Sequence, residues 1–186
     1  MMERVRCLLL ILTINFLTMI IYSYFLSSDE KKAVFLKIPI FLQKLLVFGA
    51  VGPLFVSTIV QQPRINFGTV FLKYLFGGIF ILLGSLTIIS AFRRIGAIPS
   101  LKQKSKIISS GAYSLVRHPI YSGTLIVFLG LIVLFEALIP LLYFPLSTVL
   151  YYILIRYEEK ELIKEYGDEY IEYSKKVKKK IIPFII

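Results

Sequence analysis

Apolar residues along this chain come in long, nearly unbroken runs. The first runs from Val5 to Leu26, with no charge after Arg6. The second, Ile40 to Val60, carries Lys44 one turn inside its start, and the third, Phe67 to Phe92, carries Lys73 near its start. The fourth, Ile120 to Phe135, is followed after only Glu136-Ala137 by the fifth, Leu138 to Arg156. At 1.5 Å per residue, roughly 20 apolar residues cross a ~30 Å hydrocarbon core. Lys44 and Lys73 can snorkel to its edge. The pattern predicts an all-α integral membrane protein of five transmembrane helices, with a further cytoplasmic helix at the C-terminal end. The short junction predicts that the fourth and fifth helices form an antiparallel hairpin.

The first run has the length of a retained helix, and Ser27-Ser28-Asp29-Glu30-Lys31-Lys32 is a poor signal-cleavage site. Gly49, Gly52 and Pro53 predict close packing or a kink in the second span. Gly77, Gly78, Gly84 and Ser85 are small residues that let helices approach closely in the third. Pro140 suits a first helical turn, whereas Pro145 is internal and predicts a kink. That kink and the short fourth helix predict a lateral gap near Leu146 and Ser147. Past Arg156 the composition turns polar, and Leu162, Ile163, Tyr166, Tyr170, Tyr173 and Val177 form one helical stripe interrupted at Gly167-Asp168. Lys175, Lys176 and Lys178 to Lys180 then read as a solvated or lipid-facing basic run. The whole, 1–186, is expected to be one membrane domain, with three spans in 1–92 and a chemistry-bearing core in 93–186.

Mean hydropathy of +0.78 excludes an ordinary soluble domain. One Cys and one His exclude an internal disulfide and a zinc cluster. The net charge of +11 reflects bases between and after apolar runs, so membrane lipids rather than nucleic acid are the expected partner. The connection from Arg93 to Arg117 holds six bases and no acid, and eight more lie from Arg156 onward. With five spans these fall on one side together with Lys31, Lys32 and Lys37. The positive-inside rule then places the N-terminus outside the cell membrane and the C-terminus in the cytoplasm.

The only His stands in Gly111-Ala112-Tyr113-Ser114-Leu115-Val116-Arg117-His118-Pro119-Ile120-Tyr121-Ser122-Gly123. Pro119 suits the first turn of a helix and pushes His118 toward extended geometry. A helix N-terminus beside Arg117 attracts carboxylate or phosphate. On spacing alone, a simpler reading makes Arg117 and His118 interfacial anchors and Tyr113 and Tyr121 part of an aromatic belt. The hairpin, however, returns Arg156, Glu158 and Glu159 to the same cytoplasmic face. Bases and acids together there could bind a zwitterion, its carboxylate on Arg117, His118 or the helix start and its ammonium on Glu158 or Glu159.

Gly-x-Tyr-x-x-x-Arg-His-Pro-x-Tyr-x-Gly, a hydrophobic hairpin, Glu-Glu, and Tyr-Gly-Asp-Glu-Tyr-x-x-Tyr, in this order over about Ser105 to Pro183, resemble the isoprenylcysteine carboxyl methyltransferase family and the related phospholipid methyltransferases. The resemblance implies an integral-membrane methyltransferase using S-adenosylmethionine, with no metal. It carries cofactor-binding roles onto Tyr113, Arg117, His118, Pro119, Tyr121, Glu158 and Glu159. It places Ile107 and Ile108 in the connector that covers the cofactor, although the residue types there differ from the family's. Catalytic roles fall on His118, Glu159 and Arg156, the last as the contact to the acceptor. The implied reaction is carboxyl O-methylation of an isoprenylcysteine-like or other lipid-like acceptor, by a monomer with its active site facing the cytoplasm. Phospholipid N-methylation is the first alternative, a sterol-reductase-like oxidoreductase a weaker one, and a non-catalytic membrane protein would leave the paired motifs unexplained.

Overall fold

The structure, a computed structural model, describes residues 2–95 and 107–181. Among them are seven α-helices: α1 (Met2–Leu26), α2 (Asp29–Lys37), α3 (Ile40–Ile59), α4 (Val70–Ile95), α5 (Pro119–Phe135), α6 (Leu138–Tyr166) and α7 (Asp168–Lys176), with a 3-10 turn at Gly111–Ser114. α1, α3, α4 and α6 are long and apolar enough to cross a membrane, and α5 is a shorter apolar helix. Large apolar side chains such as Phe41, Phe48, Phe71 and Leu142 point outward. In water that surface would be prohibitive, whereas lipid tails match it. The chain is an all-α integral membrane protein.

The most extensive helix contact joins α4 to α5. Its basis is a pair of glycine rows spaced seven apart, Gly77 and Gly84 against Gly130 and Gly123. A Cβ on Gly84 would stand 2.7 Å from the Gly123 carbonyl oxygen, and one on Gly130 would stand 2.9 Å from that of Gly77. Gly78, named with them from the sequence, faces open space. α5 is about 25 Å long by its rise, at the short end of the spanning range. It sits in the interior, where Leu125, Phe128 and Ile132 join Leu150, Tyr151, Leu154 and Ile155 of α6 in the core. The expected α5–α6 hairpin therefore exists as a connection, but α5 packs chiefly on α4.

α6 leans on α1 and α3. Within the membrane, the Asn15 amide donates to the Ala50 carbonyl at 2.7 Å and its oxygen accepts from the Tyr143 hydroxyl at 2.8 Å. Intramembrane polar groups need such partners, and this trio ties three spans together. The expected lateral gap is displaced. Ser147 is buried, while Leu146 lines an apolar groove of about 430 Å³ with Leu9, Leu12, Phe16 and Leu142, between α6 and α1.

At one face of the bundle the α3–α4 and α5–α6 turns are stitched together. The Ile65 amide donates to the Glu136 carbonyl at 2.9 Å, and Lys73 pairs with Glu136 at 3.1 Å. The opposite face holds α2, the segment entering α5, the end of α6 and α7. α2 was not foreseen, although Ser28 caps it and Asp29 and Glu30 fill its first turn. It binds the α6 extension through Lys32–Glu161 at 2.7 Å and Asp29–Lys164. α6 also runs on without a break at Arg156. Its apolar part ends at Ile155, its charged part continues to Tyr166, and Gly167, at φ 55°, makes the stop that the sequence suggested.

Candidate active site at the polar end of the bundle

His118 precedes the first turn of α5, with Pro119 in that turn as its missing N–H allows. The 3-10 turn leading to it is anchored on α4 by the Ala112 amide, which donates to the Ser90 hydroxyl at 3.2 Å. Gly111 there has φ +65°, and an added Cβ would also meet Ser90 at 3.2 Å. From the other side α6 brings Glu158 and Glu159, one turn beyond the core residues Leu154 and Ile155.

These groups converge. The imidazole of His118 lies between the two acids, Nδ1 at 3.4 Å from Glu158 and Nε2 at 3.7 Å from Glu159. The Tyr121 hydroxyl donates to Glu158, and the ring stacks on His118 at 5.9 Å and leans on Tyr151 at 5.1 Å. Arg117 Nε donates to Glu159 at 2.7 Å. The structure thus unites Arg117, His118, Tyr121, Glu158 and Glu159, residues up to 42 positions apart.

The tail completes the cluster, and the sequence reading missed it. Lys180 reaches Glu159 at 2.7 Å. Arg117 Nη1 donates to the carbonyls of Val177 at 2.6 Å and Lys178 at 3.0 Å. The amides of Arg117 and His118 donate to the carbonyls of Lys179 and Lys180, both at 2.9 Å. Ser122 donates to the Ile181 carbonyl, and Ile181 is fully buried. The expectation of a solvated run fails here for Lys180, because the apolar residue after it must be buried and draws the backbone in. That Lys-then-Ile junction was the available signal.

Four residues stand further out. Tyr113 is half-buried, and its carbonyl accepts from the Tyr173 hydroxyl at 2.8 Å. Ile107 and Ile108 are half-buried just before the 3-10 turn, and the connector from 96 to 106, with Lys102, Lys104, Ser105 and Lys106, lies outside the described residues, as does Pro183. Arg156 is exposed, on the stripe of α6 that carries Leu146, Val149, Ile153 and Ile163 outward. Helical periodicity therefore places it at the lipid boundary rather than in the cluster.

The electrostatics follow from this crowding. Burial would favour a neutral His118, but Glu158 and Glu159 outweigh it and raise its pKa above the ordinary 6.5. Burial would likewise raise Glu159, yet contacts with His118, Lys180 and Arg117 hold its carboxyl well below the usual range. The two acids differ in access, the side chain of Glu158 being 25% exposed and that of Glu159 12%. The first turn of α5 has no side-chain cap, and its amides suit an anion. A partly exposed acid beside an uncapped helix start offers charges complementary to a small zwitterion.

Comparison with known proteins agrees with this architecture. A family model described as phospholipid methyltransferase matches residues 72–169. That match begins inside α4, upstream of the motifs that first suggested the relation, and so includes part of the third long span. Over 65 residues, 35% of the chain, the sequence is 37% identical to methanethiol S-methyltransferase 1 of Bradyrhizobium diazoefficiens (strain JCM 10833 / BCRC 13528 / IAM 13628 / NBRC 14792 / USDA 110). The matched segment covers 22% of that protein's length. With more than half of its residues inside the family model, and with its helices built for a bilayer, the chain belongs to the phospholipid methyltransferase family of membrane methyltransferases.

Proposed function

We propose that the protein transfers a methyl group from S-adenosylmethionine to a lipid-like acceptor, most simply the carboxylate of an isoprenylcysteine-like molecule. The observation that carries this reading is the convergence of His118, Tyr121 and Glu158 at the uncapped start of α5, in a member of a methyltransferase family. The methionine moiety of the donor is a zwitterion, which the charge pattern fits. Glu158 would take its ammonium, and the first amides of α5 its carboxylate. Nε2 of His118 is buried and, among the described residues, makes no hydrogen bond, the Glu159 carboxylate lying 3.7 Å away. When bound, S-adenosylmethionine supplies a methyl group already activated on sulfonium. The chain's own task is then to orient donor and acceptor in line and to exclude water. Tyr121, Tyr151 and the packed tail supply the dry wall.

The state of the acids and bases supports the class of acceptor. An amine must lose a proton, and a base is needed to receive it. His118 is held toward its cationic form, and Glu159 is committed to three basic side chains. A carboxylate needs no base. A small thiol must also lose its proton, but with a pKa of about 8.5 a fraction is already thiolate in solution, and the relative whose printed name is a thiol methyltransferase makes it the second reading. Arg156, exposed on the outward stripe of α6, would meet the anionic end of an acceptor arriving from the bilayer. Segregation of the bases supports a cytoplasmic site, with the N-terminus outside.

The test is methyl transfer from labelled S-adenosylmethionine, by the purified protein in lipid nanodiscs, to three acceptors. These are a prenylcysteine carboxylate, a phospholipid amine and a small thiol. The reading predicts product with the carboxylate and none with the amine. Transfer to the amine alone would replace it with phospholipid N-methylation.

A further inference from the structure

Lys180 of the last described segment, Val177 to Ile181, and Arg117, which holds carbonyls of that segment, meet at one acid. Glu159 accepts from Arg117 on Oε1 at 2.7 Å, with Tyr170 at 3.4 Å, and pairs with Lys180 on Oε2 at 2.7 Å. Arg117, in turn, spends its Nη1 on tail carbonyls. Both oxygens of Glu159 are therefore engaged by the chain itself, and a ligand ammonium would have to displace one of these groups. Among the described residues Glu158 meets only Tyr121 and His118, and it has twice the exposure. Two adjacent acids of one motif do different work.

We propose that Lys180 is a positioning residue of the donor site. By occupying Glu159 it makes that acid a lock between tail, Arg117 and α6, and it leaves Glu158 as the sole carboxylate offered to the ligand. The proposal rests on the functional reading above and deepens it. Lys180 touches neither donor nor acceptor and acts through the field at His118. That ring faces Glu158 and Glu159 from α6, Arg117 from its own segment and Lys180 from the tail, with the phenols of Tyr121 and Tyr170 nearby. Removing the Lys180 ammonium leaves Glu159 less compensated, so its charge bears harder on the imidazole and stabilises the imidazolium.

His118 is the only histidine of the chain, so its ring resonances can be followed in histidine-labelled protein without further assignment. The experiment titrates them in nanodiscs for the wild type, Lys180→Met, Lys180→Arg and Lys178→Met, and measures S-adenosylmethionine affinity for the same four. Lys180→Met should move the His118 midpoint upward and weaken donor binding about 10-fold. Lys180→Arg should restore both, and Lys178→Met should change neither. A lysine with a merely structural role would lower the melting temperature while leaving the midpoint in place. An unmoved midpoint, or failure of arginine to rescue, overturns the proposal. If the wild type binds S-adenosylmethionine and Lys180→Met binds it equally well, this inference alone fails. If the wild type binds none, the functional reading fails with it.

Discussion

The glycine rows between α4 and α5 allow a test in which helix propensity cancels. Replacing Gly123 with Ala puts a Cβ 2.5 Å from Ile88 Cγ1 and 2.7 Å from the Gly84 carbonyl oxygen. The carbonyl belongs to the backbone and cannot rotate away, so the helices must separate. Overpacking of this kind costs about 1–3 kcal/mol. Alanine also gains roughly 0.8–1 kcal/mol of helix propensity over glycine. Gly78→Ala makes the same gain with nothing within 4 Å of its Cβ. The difference between the two variants thus isolates the packing cost, about 1–3 kcal/mol. For a chain of this size that is roughly 2–4 °C of melting temperature per kcal/mol. Thermal unfolding in nanodiscs measures it. Because Gly123 lies about one turn beyond His118, the same variant should weaken donor binding. Equal melting temperatures for Gly123→Ala and Gly78→Ala would refute the close approach of α4 and α5.

Other consequences can be checked separately. The stabilising contribution of His118, whose pKa is raised, is complete below its ordinary 6.5 and is lost as pH rises through the raised value. That of Glu159, whose pKa is lowered, is present above its ordinary 4.5 and is lost as pH falls through the lowered value. Melting temperature against pH should therefore fall at both ends, and His118→Gln should abolish the fall on the alkaline side. A C-terminal tag in sealed vesicles should be reachable only from the cytoplasmic face; labelling from outside would invert the topology. Leu146→Trp, at the groove between α6 and α1, should raise the apparent KM of a lipidic acceptor without altering donor affinity. Equal losses with a short water-soluble acceptor would rule that groove out as the lateral path.

What the sequence made legible follows the strength of the local signal. The five apolar runs map onto α1, α3, α4, α5 and α6 because twenty apolar residues in a bilayer have almost no alternative to a helix. Pro119 and Gly167 mark boundaries by their backbone chemistry alone. Arg117, His118, Tyr121, Glu158 and Glu159 were legible because the hairpin forces both of its open ends to one face. The tail was not. Lys180 is one of several lysines, and beyond its junction with Ile181 only long-range contacts, of its side chain with Glu159 and its backbone with His118, separate it from Lys178. The partner of α5 was also hidden, because glycine spacing shows that a helix can approach closely but not which neighbour does so. Arg156 was assigned by proximity in sequence, and the 3.6-residue period turns it outward.

On the proposed reading, the polar cluster binds S-adenosylmethionine through Glu158. Calorimetric titration of the donor into the nanodisc protein, for the wild type, Glu158→Gln and Lys178→Ala, tests it most directly. Losing a hydrogen bond to a charged group costs about 1.5–3 kcal/mol, on the order of 10- to 100-fold in affinity. Glu158→Gln should show that loss, and Lys178→Ala should keep wild-type affinity. Binding that is unchanged in Glu158→Gln, or reduced equally in both variants, would contradict it.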